Sequence, residues 1–335
     1  VERRELLRLL SIATTTLAMP STIDWDHVAF AAATGHVDAA VLDDCASMNQ
    51  KLWKTYGESE TKVTVFSAVH NHLCLLIEGL RRSRTTTLHH RQYELIADVL
   101  QLTGEILLDS NHLGEAAHCY ALSGTFAADA RAYDLWACAL TRHAYIGFIE
   151  NRFSDALPLV EQAAGIARRG DTALPTSHWV ASVRAQVLAG LGDAYGCEQA
   201  FDTARGVLHV PTTSSVGWLR FSGDRIDEEQ ASCLIQLDRP ERAENILMPL
   251  LHRPLSTRRR AGVLIDLAGA GALRDDPVQA VWYGGTAVDI ARRTRSGYLG
   301  RRLGQLSTRL SRLRGDRHID HLEHQITTLA ASPSH

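Results

Sequence analysis

Five pairs of small residues, each pair twelve positions apart, set the tightest limit on what this chain folds into. The upstream members are Gly104, Ala144, Ala185, Ala231 and Ala268, and the downstream members are Ala116, Ala156, Cys197, Ala243 and Ala280. Successive downstream members are 40, 41, 46 and 37 residues apart. A period of that size marks stacked helical hairpins, each burying its apolar face on its neighbours. Small side chains at two fixed points let the paired helices approach closely. Four residues after each downstream anchor stand Tyr120, Val160, Phe201, Leu247 and Gly284, so a bulky side chain fills the hairpin in every copy but the last. Seven after stand Ser123, Ala163, Ala204, Leu250 and Ala287, mostly small again. Pro240 and Pro277 fall three before their anchors, in a first helical turn, where a missing N–H costs little. Asp276 is placed to cap the helix that Pro277 opens.

This spacing resembles the tetratricopeptide repeat, although the period is longer and the usual Trp-Leu-Gly-Tyr run is missing. The resemblance implies a right-handed TPR-like helical-hairpin solenoid. No alternating strand pattern interrupts the helical periodicities, so the fold class is all-α. Residues 1–84 form an N-terminal helical region and 85–295 the five hairpins. Residues 296–330, with the Leu303, Leu306, Leu310, Leu313 stripe, form a C-terminal helical cap, and 331–335 a disordered tail. The opening Arg3-Arg4 followed by leucines has features of a twin-arginine export signal. Arg8 interrupts its apolar stretch, however, and the pattern fits an amphipathic lead helix over 1–19.

The chain has 335 residues and 45% hydrophobic content, enough for a large core, with no run resembling a membrane span. Its net charge of −3 hides an asymmetry: residues 251–317 hold 14 Arg and 5 Asp, or +9, and residues 1–250 carry −10. Such a basic end fits either the solvated faces of long helices or contact with an acidic partner, a sister domain or nucleic-acid phosphate. Six scattered cysteines, with no Cys-x-x-Cys pair, read as buried thiols of a reducing, cytoplasmic compartment. His318, His321 and His324 recur every three residues but do not converge as a zinc site requires. No metal and no cofactor is expected. Phosphate loops, nucleophile elbows and metalloprotease motifs are absent, and the paired carboxylates face different ways, so the chain reads as non-enzymatic.

Three segments carry a wider resemblance: Arg3-Arg4-Glu-Leu-Leu-Arg-Leu-Leu, Gly35-His-Val-Asp-Ala-Ala-Val-Leu-Asp-Asp, and Ala287-Val-Asp-Ile-Ala-Arg-Arg-Thr. Together they resemble the C-terminal, repeat-bearing part of actinobacterial regulators with an Xre-type helix-turn-helix. That resemblance implies a sensor or protein-interaction module of a transcriptional regulator, able to form a homodimer. It would touch DNA only through a domain that residues 1–85 do not supply, having no compact helix-turn-helix. The alternative is a free-standing TPR adaptor acting only through protein contacts.

In such arrays the first helix of each hairpin lines a concave groove. Taking positions three before, one after and six before each upstream anchor places Gln101, Glu105, Thr141, Tyr145, Trp179, Ser182, Gln186, Arg225, Glu228 and Ser232 there. An aromatic pair among several polar groups suits a peptide or small-molecule signal.

Overall fold

The structure, a computed structural model, describes residues 39–80, 86–211, 217–219 and 221–331. Among the described residues it is all-α, with fourteen α-helices, four short 3-10 turns and no strand. The expected lead helix over 1–19 and residues 332–335 of the expected tail lie outside these residues, while Ala331 ends the last helix.

The helices are α1 (Ala39–Glu58), α2 (Phe66–Leu80), α3 (Thr86–Asp109), α4 (Leu113–Asp129), α5 (Tyr133–Ile149), α6 (Phe153–Ala167) and α7 (Thr176–Gly190). They continue as α8 (Ala194–Arg205), α9 (Ile226–Gln236), α10 (Pro240–Leu250), α11 (Thr257–Leu273), α12 (Pro277–Thr294), α13 (Gly297–Leu310) and α14 (Arg317–Ala331). The five small-residue pairs fall on α3/α4, α5/α6, α7/α8, α9/α10 and α11/α12, and all ten residues are buried.

What the twelve-residue spacing encodes is a turn. Seven residues after each upstream anchor the backbone enters the left-handed region, at Asn111, Asn151, Gly192, Asp238 and Asp275. The next residue's N–H then bonds back five residues, from His112 to Leu107, Arg152 to Gly147, Asp193 to Leu188, Arg239 to Leu234 and Asp276 to Gly271. This closes the last turn of the first helix, and the same residue's carbonyl accepts from the downstream anchor's N–H to start the second. Asn, Gly and Asp are the residue types that tolerate this conformation best. Asp193 and Asp276 add a side-chain cap, accepting from Gly196 N at 2.8 Å and Gln279 N at 2.9 Å.

Two departures from the repeat have packing causes. A Cβ at Gly104 would stand 2.4 Å from the Tyr120 ring, so the first hairpin uses Gly where Tyr120 fills the gap. At Gly284 a Cβ would press on Leu322 of α14 at 2.8 Å, which is why no bulky residue stands there.

The chain divides into two compact units. One takes in residues up to 143 with 162–176 and 213–220; the other takes in 144–161, 177–212 and 221–335. In the first, α1, α2, α3 and α4 pack around Trp53, Tyr56, Leu73, Ile96 and Tyr120. Residues 62–80 are, by length and composition, apolar enough to cross a membrane, a stretch the sequence reading passed over. Val65, Phe66, Val69, Leu73 and Leu76 of this stretch are buried in the unit's core. In the second, α13 and α14 lay Leu299, Leu303, Leu306, Leu310, Ile319, Leu322 and Ile326 against α11 and α12.

Part of the charge asymmetry is answered inside this second unit. Arg253, Arg259 and Arg274 pair with Asp227, Glu228 and Glu244, so the basic end neutralises acids that precede it.

Candidate functional site

A cleft of about 450 Å³ opens in the first unit. One face of α1 (Ala46, Gln50, Trp53) and one face of α3 (Arg91, Glu94, Leu95, Asp98) form two of its walls. Their spacing, near three, four and seven residues, puts each set on a single stripe of its helix. The turn into α5 (Arg131 to Leu135), the segment 169–174 and Gly217-Trp218 complete it.

Its floor is a buried polar chain. The Asp98 carboxylate accepts from Trp53 Nε1 at 2.6 Å and from Asn49 Nδ2 at 2.7 Å. Asn49 Oδ1 accepts in turn from His72 Nε2 at 2.8 Å. Burial raises the Asp98 pKa to about 6, against the pull of Trp53, Asn49 and Arg142. Burial lowers that of His72 to about 4, so its ring is neutral near pH 7. Beside this chain, Arg142 donates to Gln101 Oε1 and to the Trp218 carbonyl, both at 2.7 Å, and pairs with Glu105 at 3.3 Å. Its guanidinium lies 5.5 Å over the Trp53 ring. Arg142 thereby holds the 217–218 segment against Trp53. Gly217 is required there, since a Cβ would come within 2.9 Å of the Trp53 ring.

The opposite wall is shaped by Asp134, which accepts from Thr176 Oγ1 at 2.5 Å and from Asp171 N at 2.8 Å. Arg169 donates to the Tyr133 hydroxyl at 2.7 Å and lies 4.2 Å from its ring centroid. Arg131 differs from these: it is exposed, lines the cleft and has no acidic partner among the described residues. It also holds a left-handed backbone (φ 56°), where the hairpin turns use Asn, Asp or Gly. A long side chain in that conformation costs roughly 1 kcal/mol, the kind of strain that clusters at functional positions.

The ten residues placed in the groove from sequence have more enclosed surroundings. In the first unit, Gln101 and Thr141 are fully buried. Gln101 donates to the Leu135 carbonyl and accepts from Arg142, and Thr141 bonds back to Ala137. Glu105 is half-buried between Arg142 and the Tyr120 hydroxyl. In the second unit, Gln186 is buried and donates to Glu229 at 2.7 Å, and Arg225 reaches the same carboxylate at 3.3 Å. Glu228 pairs with Arg259. The Tyr145 hydroxyl meets that of Tyr298 at 3.0 Å, and Gln305 of α13 donates to the Ile149 carbonyl at 2.8 Å. Trp179 and Ser232 are half-buried, and Ser182 is buried with a hydroxyl that has no partner. Burial raises the Glu229 carboxyl, with Arg225 opposing, and pushes the Tyr145 hydroxyl far above its ordinary value.

The sequence reading missed the cleft residues because it followed the repeat register. Only Asp98 stood at a position it considered. The signal that was available is Arg131 at a turn.

Among the described residues no group of three or more His, Cys, Asp or Glu is placed to hold a metal ion. His318, His321 and His324 point to solvent from α14 while Ile319, Leu322 and Ile326 face inward. The chain matches no family model and no curated protein.

Proposed function

We propose that this chain is a non-enzymatic sensor module, built as a right-handed TPR-like hairpin solenoid, that serves a cytoplasmic transcriptional regulator of the Xre type. Its ligand is a small molecule or a free peptide end with a planar or apolar part and a carboxylate. The cleft of the first unit is the observation that carries this reading. Trp218 and Tyr133 offer ring surface, Arg131 offers an uncommitted guanidinium, and Asp98 lies beneath. A concave site with aromatic walls and few convergent polar groups is the usual form of a small-ligand pocket. Among the described residues the lining carries no Ser, Thr, Cys, Lys or His side chain, so it offers no nucleophile of those types. DNA contact is assigned to a separate domain.

The test is native mass spectrometry of the gently purified chain, followed by Gly217→Val, which pushes a side chain toward Trp53. A small-molecule adduct should be present in the wild type, retained in Gln186→Ala and lost in Gly217→Val. An adduct that survives Gly217→Val would remove the cleft from consideration.

A second reading, an adaptor working through protein contacts, is favoured by apolar side chains on the second helices of two hairpins. Val278 and Trp282 on α12 are 79% and 73% exposed, one turn apart, and Tyr195 on α8 is 75% exposed. Trp282→Ala should then reduce capture of a protein partner and leave the cleft adduct untouched.

A further inference from the structure

The cleft of the first unit has an excess of acids. Its lining carries Glu94, Asp98, Asp134 and Asp171 against three guanidiniums, Arg91, Arg131 and Arg169. A ligand that is only an anion would enter a site already negative on balance. Asp134 and Asp171 serve their own loop: Asp134 accepts from Thr176 and from Asp171 N, and Asp171 accepts from Ala173 N at 2.8 Å. The carboxylates left for a ligand stand on α3.

Asp98 is the distinctive one. It is buried, and its two oxygens accept from Trp53 and Asn49, both neutral donors. Among the described residues no arginine, lysine or histidine forms an ion pair with it. Arg142 is committed to Gln101, the Trp218 carbonyl and Glu105. Its pKa of about 6 leaves Asp98 mainly a carboxylate at pH 7. Each oxygen keeps room for a second donor, and the open side of the group is the cleft itself. Buried charges are normally paired, and an occupant that strips the remaining water from Asp98 loses affinity unless it brings a cation. Glu94 lies one turn away on the same stripe, and Arg91, 3.4 Å from it, also reaches Asp43 at 3.9 Å. Along this stripe exposure falls from Arg91 through half-buried Glu94 to buried Asp98, so the negative charge lies deep. The free guanidinium of Arg131 is exposed, at the mouth.

We propose that the ligand of this cleft is a short free peptide, bound by both of its charged ends. Its ammonium enters first and sits on Asp98 and Glu94, its carboxylate stays with Arg131, and Trp218 and Tyr133 cover an apolar side chain between them. A cleft of about 450 Å³ takes a ligand of that size. The assignment rests on the cleft being the ligand site and adds the ammonium, which the carboxylate-binding reading does not require.

The experiment is isothermal titration of the folded full-length chain with glycyl-phenylalanine and with its N-acetyl derivative, which lacks the ammonium. Acetylation should weaken binding at least about tenfold. In Asp98→Asn the free dipeptide should weaken by about tenfold while the acetylated form changes by less than about twofold, so the preference disappears. Glu94→Gln, on a half-buried side chain that the fold does not need, should narrow the preference by about threefold and decides the matter if Asp98→Asn does not fold. Equal binding of the two forms by the wild type, a preference unchanged in both variants, or no binding of either form at millimolar concentration would each overturn the proposal. Gly217→Val separates this from the cleft reading itself. Binding that is lost in Gly217→Val but indifferent to acetylation refutes only the ammonium site, whereas binding that survives Gly217→Val removes the cleft.

Discussion

The two units spend buried charge differently. In the second, acids and guanidiniums are matched to one another: Arg302 to Asp266 at 2.5 Å, Arg225 to Glu229, and Arg259 to Glu228. Such pairs fix helices in register and leave little to offer a ligand. In the first, Asp98 is held by neutral donors and Arg131 has no acid beside it, with an open cleft between them. Polar residues on the inner faces of hairpins thus do not by themselves make a binding site; what matters is whether neighbours have already satisfied them.

The largest effect expected on this contrast comes from Asp266→Ala in the second unit. It leaves the mostly buried Arg302 without its partner and should cost about 3 kcal/mol, read from urea unfolding. A loss under about 0.5 kcal/mol would show that the pair is solvated like a surface bridge.

A comparable change is expected from pH in the first unit, where two groups oppose each other. The Asp98 pKa, raised from 3.8 to about 6, gives stability that is complete below 3.8 and lost as pH rises through 6. The His72 pKa, lowered from 6.5 to about 4, gives stability that is complete above 6.5 and lost as pH falls through 4. Between pH 4 and 6 the two nearly cancel in the wild type. Asp98→Asn should therefore make stability rise with pH across that window, and His72→Gln should make it fall, each by on the order of 2 kcal/mol. Parallel slopes in the two variants would break the assignment.

Ala185→Leu overpacks α7 against α8 and should cost roughly 1–3 kcal/mol; unchanged stability would mean the hairpin register is wrong. The smallest effect has the opposite sign. Arg131→Gly relieves the left-handed backbone and should stabilise the fold by up to about 1 kcal/mol. The same variant should weaken the adduct seen by native mass spectrometry. Gained stability with an unchanged adduct would mean that Arg131 is a turn residue only.

The hairpins were legible because their geometry is local. Ala144 and Ala156, or Ala268 and Ala280, sit across one turn of fixed length, so the spacing survives in the sequence whatever the outer faces carry. The left-handed Asn111, Asn151, Gly192, Asp238 and Asp275 repeat equally strictly and were open to the same reading. The site residues were less legible. Gln186 and Arg225 were placed on the inner face by register, but Glu229 occupies both, reaching Gln186 from the following hairpin and Arg225 from one helical turn away in the same hairpin. Asp98 and Trp53 are 45 residues apart, and Trp218 reaches them from further along the chain, held through Arg142.

The sequence by itself determined the helices, their pairing and the turns, because backbone preference and close packing act between residues within a dozen positions of each other. Tertiary structure alone decided which polar side chains neutralise one another and which stay open to a ligand. Those outcomes depend on charged groups from distant segments meeting at contact distance, and no local pattern records that.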